Sequence, residues 1–416
     1  MPKYKIDTSL DKFIKKTPFD FQVYEKSIYE PKKEENFLFV KLRKVNISTL
    51  EAIRTLSKFL EIPLREIGFA GLKDKYAYTE QYLSFPKEFE NKLKYKTFLI
   101  KGNKKLETFE NSFSKNQIFE LYIKDFKQKI FSIEKVGYIE KNLSLGDLRG
   151  NNFIITIKNL DKALYKRLLK NIKIVKKYGF ANYFGEQRFG SLKDRSSFII
   201  LEALRENYEK ALYIYFIEGR DPSLKKLWGK WEKLYGKLKY SLEDFEKDVI
   251  LGLKRGLSFK KAFQIFPKNI KLMFYFAFQS FIWNKVLSIY IKRKYKSGEV
   301  KFITSLPLRF YYEVYDYDYL KTLEVPYLGY KHKVKDKLLK EILENILKTW
   351  GITKEFYETK FFNLNIFTDG LRKAIVEKEV LKLKILKRER KKVTLNFFLP
   401  TGSYATILLR KLLFLK

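Results

Sequence analysis

Few residue types in this sequence of 416 residues could carry chemistry. It contains no cysteine, which excludes disulfides, thiolate zinc sites, iron–sulfur clusters and thiol nucleophiles. The single histidine, His332, lies between Lys331 and Lys333, and these cations favour a solvated surface residue over a catalytic imidazole. Catalytic triads that need a histidine, and zinc sites that need two or more, are therefore unsupported. Any reaction must depend on carboxylates, Lys, Arg, Tyr, Ser or Thr.

One carboxylate has a distinctive setting. Asp74 lies between Lys73 and Lys75, just after the glycine-containing stretch Gly68–Gly71, which allows a ligand to approach the backbone closely. The adjacent cations favour an ionised Asp74. From charge alone, a solvated surface loop is the commoner explanation of such a triplet. The residues therefore leave two interpretations open, a catalytic carboxylate and an ordinary loop.

The elements around Asp74 follow from alternation and capping signals. Ser48 and Glu51 form a capping box that begins a helix, and the helix must end before Pro63. Apolar alternation or short apolar runs predict extended segments at 19–23, 38–42, 67–69 and 78–85. Asp74 is thus predicted to lie in a loop between two extended segments.

The rest of the chain changes from strands to helices and back to strands. The patterns predict strands at 118–123 and 153–157, helices at 164–175, 194–206, 241–253 and 268–295, and a hairpin over 381–397. A further helix is expected at 403–413. This order predicts an α+β protein in which a largely helical insertion interrupts the catalytic sheet.

The charge of the chain indicates a polyanionic partner. Lys and Arg number 86 and Asp and Glu 48, which gives a formal net charge of +38. Such an excess favours nucleic acid as the partner, although a bias towards AT-rich codons would also enrich lysine. The sequence has no apolar run long enough to span a membrane and no basic amphipathic helix with lipid anchors. A cytoplasmic protein without membrane contact is expected.

The longest motif surrounds Asp74. Residues 68–81, GFAGLKDKYAYTEQ, match every fixed position of G-x-A-G-x-K-D-x-x-A-x-T-x-Q, and the sequence here resembles the TruD family of tRNA pseudouridine synthases. Similar strings occur in the family's order at 19–25, 148–153, 182–190, 279–284 and 399–406. Two departures are Ala181, where the family commonly has proline, and Tyr404, where phenylalanine also occurs.

The resemblance implies a fold, a reaction and a partner. It implies a pseudouridine-synthase-like mixed or antiparallel sheet in a catalytic domain at 1–177 and 379–416, interrupted by an insertion domain at 178–378. The implied reaction isomerises a uridine in structured RNA to pseudouridine without cofactor or metal. In bacterial members the usual target is uridine-13 in the D arm of tRNA. A monomer that binds tRNA is expected.

The resemblance also implies site residues. By motif position, Asp74 is the catalytic residue, and Phe21, Asn151 and Tyr404 fall where the family contacts the target nucleotide. Phe153 could add an aromatic face for an extruded base, although apolar alternation alone places Phe21 and Phe153 in the core.

The sequence leaves the roles of two cationic residues undecided, and it allows one rival function. Lys73 could steer a phosphate or hold Asp74 charged, or it could be a solvated lysine. Arg188 could contact RNA or form a salt bridge. The rival hypothesis is a non-catalytic RNA-binding or RNA-chaperone protein of the same fold, which would have no chemical need for a carboxylate at position 74.

Overall fold

A computed structural model describes residues 3–101, 105–329, 334–353 and 370–416. The chain forms two compact units. The first unit contains Ser9–Lys177 and Glu377–Ala405, and the second contains the chain up to Thr8 together with Tyr178–Val376 and Thr406–Lys416. His332, expected at the surface, lies outside the described residues. This division into two units reflects packing alone, and the assignment of the catalytic domain to one of them stays a prediction.

The first unit is built on a mixed sheet of ten strands. The strands are β1 (Phe21–Ser27), β2 (Phe37–Val45), β3 (Gly68–Phe69), β4 (Tyr78–Pro86), β5 (Thr97–Lys101), β6 (Lys105–Phe109), β7 (Lys129–Ile139), β8 (Leu148–Ile157), β9 (Lys384–Glu389) and β10 (Lys392–Pro400). Their order in the sheet is β9-β10-β8-β1-β4-β2-β7-β5-β6, with β3 paired to β4. Only the β1–β4 pair is parallel among these strands, and the other pairs are antiparallel.

Four α-helices accompany this sheet in the described part of the first unit. They are α1 (Thr49–Phe59), α2 (Lys115–Lys124), α3 (Lys162–Tyr178) and the short α4 (Lys378–Leu381). The Ser48 side chain accepts the Glu51 amide at 3.2 Å and begins α1, as predicted. Leu38, Val40 and Leu42 alternate on β2 and form one buried core with Ile53 of α1. The expected strand at 78–85 and the loop that holds Asp74 are both confirmed.

The second unit is mainly helical. Its longest helix is Lys268–Lys294, almost as predicted. The described residues also form three two-stranded sheets, which pair Ser297–Ile303 with Leu306–Tyr311, Glu324–Pro326 with Leu371–Lys373, and Phe180–Ala181 with Ile375–Val376. The other helices are Ile199–Leu204, Tyr208–Phe216, Trp231–Leu238, Asp244–Lys254, Phe259–Gln264, Tyr317–Thr322, Lys337–Trp350 and Ala405–Phe414. The α+β fold class with a helical region is confirmed.

The strand predicted at 118–123 is wrong, because this segment lies in helix α2. A capping box begins the helix: the Ser114 side chain accepts the Gln117 amide at 3.4 Å, and the Gln117 side chain accepts the Ser114 amide at 2.9 Å. Ile118 and Tyr122, four residues apart, share one helix face and pack in the core beside Val45. The helical spacing of these two residues outweighs the short apolar run.

Three other boundaries differ from the prediction. The helix predicted from 194 begins only at Ile199, because Asp194 has a left-handed backbone and Glu218 accepts the Ser196 amide at 2.5 Å. The helix predicted from 241 begins at Asp244, after the capping residue Glu243. The hairpin predicted from 381 begins at Lys384, since the preceding residues form α4.

Candidate active site

A buried lysine binds the backbone of the loop that carries Asp74. Lys44, at the end of β2, is fully buried, and its Nζ donates to the main-chain carbonyls of Asp74 at 2.8 Å, Ile47 at 2.9 Å and Lys73 at 3.4 Å. Three carbonyl acceptors satisfy the three N–H donors of an ammonium. Lys44 therefore fixes the backbone from which the Asp74 side chain projects.

Lys73 does not reach the carboxylate of its neighbour. Its ammonium forms an ion pair with Glu25 of β1, and the side chains are 6% and 0% exposed. The other Glu25 oxygen accepts the Tyr82 amide at 3.1 Å. The pair ties the loop to the centre of the sheet, and this contact places Lys73 in a supporting position.

A second set of polar contacts completes the loop. The Thr49 hydroxyl donates to Gln81 Oε1 at 2.8 Å and accepts the Lys73 amide at 3.0 Å. The Gln81 amide donates to the Gly71 carbonyl at 3.1 Å. These bonds join α1 and β4 to the part of the loop that precedes Asp74, so polar groups on two elements hold this part of the loop in place.

The protonation of Lys44 should make stability depend on pH. Burial lowers the pKa of Lys44 to about 7, although the Asp74 charge opposes this change. Between pH 7 and the usual lysine range near ~10.4, the unfolded chain binds more protons than the folded protein, so stability rises with pH. We expect the unfolding free energy of the wild type, relative to Lys44→Met, to rise by up to about 1.4 kcal/mol per pH unit in this window.

Chemical unfolding of both proteins at several pH values measures this difference. Lys41→Met is the matched control, because Lys41 lies on the same strand with its side chain on the other face of the sheet. The Lys41→Met profile should follow that of the wild type. A pH-independent difference between the wild type and Lys44→Met would contradict the prediction.

Lys15 links Asp74 to the aromatic residues of the site. Its Nζ lies 3.1 Å from Asp74 Oδ2 and 4.3 Å from the centroid of the Phe21 ring. The Asp74 side chain is 26% exposed, so the carboxylate is open to a ligand. The arrangement presents an accessible carboxylate, a cation and an aromatic ring within one small region.

Phe21, Phe153 and Asn151 lie on one face of the sheet. Phe153 pairs with Val23 and Asn151 with Glu25 in the β1–β8 register, so alternation puts their side chains on the face of Phe21. Both phenylalanine rings are almost buried, with their centroids 6.0 Å apart. The Oδ1 atom of Asn151 is buried and has no hydrogen-bond partner within the described residues. A buried acceptor without a partner is costly and suits a ligand donor.

Tyr404 follows the strand on the other side of Asn151. Leu399 of β10 pairs with Asn151 and Pro400 with Gly150, and the chain then turns through 401–404. The Thr401 hydroxyl donates to the Leu148 carbonyl at 2.7 Å, which ties this turn to β8. Tyr404 is half-buried at the end of the turn.

Glycine at position 150 allows the close approach of the two strands. A Cβ atom there would lie 2.1 Å from the Leu399 carbonyl oxygen, and its φ is +152°. A larger residue would therefore push β10, and the turn that carries Tyr404, away from Asn151.

Arg188 lies in the second unit. Its exposed guanidinium lies 5.6 Å from the Phe184 ring and 5.2 Å from the Phe276 ring. Within the described residues it forms no ion pair, so the salt bridge considered above is not seen there. The segment 182–190 that contains Arg188 also has a structural role. The Asn284 side chain accepts a hydrogen bond from the Phe184 amide at 2.8 Å and donates one to the Phe184 carbonyl at 3.0 Å.

Three supporting residues were missed from the sequence, and two left a detectable signal. Lys44 continues the alternating series of Leu38, Val40 and Leu42 on a buried face, and Glu25 does the same after Phe21 and Val23. A charge at a position predicted to be buried requires a partner. Lys15 gave no comparable signal, because it precedes the strand.

Comparisons with known proteins identify the family of this chain. The family model for tRNA pseudouridine synthase D (TruD) matches residues 7–301 and 319–412. The chain belongs to the TruD family. It is accordingly a pseudouridine synthase, an intramolecular isomerase, and this membership decides against a non-catalytic binder.

Individual relatives agree with this assignment over nearly the whole chain. The tRNA pseudouridine synthase D of Aquifex aeolicus is 34% identical over 410 residues, which cover 97% of this chain and 98% of the relative. A probable tRNA pseudouridine synthase D of Methanocaldococcus jannaschii is 30% identical, with 95% and 90% covered. The crystal structure of a putative TruD protein from Methanosarcina mazei shares the fold, with a TM-score of 0.65, 23% identity and coverage of 96% and 93%.

None of the helices within the described ranges is both long and apolar enough to cross a membrane.

Proposed function

We propose that this TruD family member converts a uridine of tRNA, uridine-13 of the D arm, to pseudouridine, with Asp74 as the catalytic residue. The observation that carries the proposal is the accessible Asp74 carboxylate, which buried contacts from Lys44 and Thr49 hold beside Lys15 and Phe21. The unit formed by 9–177 and 377–405 is then the catalytic domain, and the second unit contains the insertion.

The reaction needs no external reagent, because it is an isomerisation. The C1′–N1 bond breaks, the uracil turns, the C1′–C5 bond forms and the C5 hydrogen leaves as a proton, while N1 gains one. Asp74 can act on C1′ as a nucleophile or remove the C2′ proton as a base, and both routes place its carboxylate against the ribose. The Lys15 ammonium, 3.1 Å from Oδ2, compensates the carboxylate charge before the substrate enters.

Asn151 is proposed to hold the uracil. The Watson–Crick edge of uracil has an N3–H donor between two carbonyl acceptors, and an asparagine amide offers the complementary acceptor and donor. The unpaired Oδ1 of Asn151 supplies this acceptor without breaking an existing bond. Recognition of the base therefore also satisfies an otherwise costly buried atom.

Aromatic residues are proposed to replace the base stack that the uridine leaves. Extrusion costs a few kcal/mol, and contact with aromatic rings offsets part of this cost. Phe21 and Phe153 lie on the face of Asn151, and Tyr404 follows the strand that flanks it. Because Lys15 occupies one face of Phe21, the incoming nucleotide must move this ammonium or enter beside it.

Replacement of Asn151 by alanine should impair the reaction more than the fold. We expect kcat/KM to fall by about 10²-fold, because the uracil edge loses a buried hydrogen-bond partner. The unfolding free energy should change by less than about 1 kcal/mol, since Oδ1 accepts no hydrogen bond from the described part of the chain. Asn152→Ala, one residue away on the opposite face, is the control and should retain normal kcat/KM. Normal kinetics of Asn151→Ala would remove Asn151 from the site.

The proposed target is tested with tRNA transcripts that carry tritium at C5 of uridine. Formation of the C1′–C5 bond releases this tritium, and mapping of the modified position identifies the nucleotide. A transcript with cytidine in place of uridine-13 should release none. Tritium release from that transcript would show that another uridine is the target. If none of the tRNA transcripts released tritium, tRNA would not be the substrate.

A further inference from the structure

We propose that a basic pocket beside Asp74 binds the nucleotide that flanks the target uridine in the RNA. Its lysines would hold the phosphodiester groups, and one of two exposed aromatic rings would stack on the flanking base. The inference rests on the proposed function and extends it, because it gives the enzyme a second contact with the RNA strand.

The pocket lies entirely within the first unit. Its volume is about 430 Å³, enough for one nucleotide. It is formed by the segment before β1, the end of β2, the loop after Asp74 and the end of α2 with the residues that follow it. The lining residues are Lys15, Lys16, Thr17, Pro18, Asn46, Lys75, Tyr76, Tyr122, Phe126, Lys127 and Lys129.

The charges of the pocket favour an anion. Five of the lining residues are lysines and none is acidic. Lys15 pairs with Asp74, and Lys129 pairs with Glu51 at 2.5 Å. The other three, Lys16, Lys75 and Lys127, have no acidic partner within the described residues. Several uncompensated ammonium groups around one concavity attract a polyanion.

The aromatic residues favour a nucleic acid over another polyanion. Tyr76 is 64% exposed and Phe126 is 62% exposed, so both rings are open to a ligand. The Asn46 amide donates to the carbonyl of Phe126 at 2.8 Å, and the Phe126 ring lies 5.2 Å from that of Tyr122. The ring is therefore held in place while its face stays available. Alternation of cations with exposed rings is how proteins bind single strands.

The pocket lies directly beside the proposed catalytic carboxylate. Lys15 lines the pocket and also touches Asp74 and Phe21. Tyr76 follows Asp74 by only two residues on the same loop. A strand whose uridine lies against Asp74 therefore passes its neighbouring nucleotide directly over Lys15 into the pocket.

The test uses the full-length protein with a tRNA transcript and with a short D-arm oligoribonucleotide. Phe126→Leu and Tyr76→Leu each remove one ring. The variant that lacks the ring on which the base stacks should bind the RNA about 10-fold more weakly. Phe126→Tyr and Tyr76→Phe keep a ring and should restore binding. The double variant Lys16→Ala/Lys127→Ala removes two phosphate contacts and should reduce the slope of log affinity against log salt by about 1.4 to 1.8.

Controls and readouts separate this inference from the proposed function. The control is Lys58→Ala, which removes an exposed lysine on α1 outside the pocket. It should change the slope of log affinity against log salt much less than the double variant does. Under single turnover, the pocket variants should raise the RNA concentration needed for half-maximal rate, while the rate at saturation falls little. Normal affinity and salt slope in all of them, with normal pseudouridine formation by the wild type, would refute the pocket alone. If the pocket variants lost RNA binding but the wild type formed no pseudouridine, the proposed function would be refuted and the pocket supported.

Discussion

Asp74→Asn should bind tRNA normally and form no measurable pseudouridine. The amide has nearly the same shape as the carboxylate, and the loop is fixed by contacts of Lys44 and Thr49 that do not involve this side chain. An amide cannot accept a proton or attack C1′ at neutral pH, so the rate should fall by at least about 10³-fold. The measurement is tritium release from tRNA under single turnover, together with tRNA affinity.

The control for this variant is Asp161→Asn. Asp161 accepts the Leu164 amide at 2.7 Å in the first turn of α3, a task that asparagine performs equally well. It should retain wild-type turnover. Activity of Asp74→Asn within about tenfold of the wild type would exclude Asp74 as catalyst and leave the TruD assignment without its proposed mechanism.

Lys73→Met should lower the unfolding free energy by about 3–5 kcal/mol, the largest stability effect that we expect. The Glu25 side chain is fully buried, and without Lys73 its charge would face the interior of the sheet with only the Tyr82 amide as a partner. Breaking a buried ion pair costs more than the pair contributes, because the remaining charge stays desolvated. Chemical unfolding followed by a signal from the first unit measures the change.

Three further variants test whether the ion pair is the cause. Glu25→Gln/Lys73→Met removes both charges and should recover part of the lost stability. Together with the single variant Glu25→Gln, it completes a double-mutant cycle that should give a coupling of at least about 1 kcal/mol. Lys75→Met, in the same loop but without an acidic partner among the residues that the structure describes, should stay within about 0.5 kcal/mol of the wild type. Similar losses for Lys73→Met and Lys75→Met would show that the loop, not the buried pair, determines the effect.

Much of the fold around Asp74 was predictable because its signals are local. Alternation in β2, the Ser48 cap of α1 and the loop before β4 depend on residues close together in sequence. The segment at 118–123 shows the limit of such signals, since a short apolar run fits a strand or a buried helix face. There the capping box at Ser114 was the better guide.

The site itself was predictable in part. The motif indicated Asp74, but the ion pair of Lys73 with Glu25 joins residues 48 positions apart, and no local pattern specifies that pairing. The unpaired Oδ1 of Asn151 depends on the register between β1 and β8, which are separated by more than a hundred residues. Such contacts are set by tertiary structure and require coordinates.

The pairing of β10 with β8 has a consequence for biosynthesis. The two strands are separated by more than 230 residues, so the edge of β8 stays open until the ribosome has made the last part of the chain. At about 5–20 residues per second this takes roughly 12 to 47 seconds. An uncovered strand edge invites aggregation, and we expect the nascent protein to depend on chaperones during this interval.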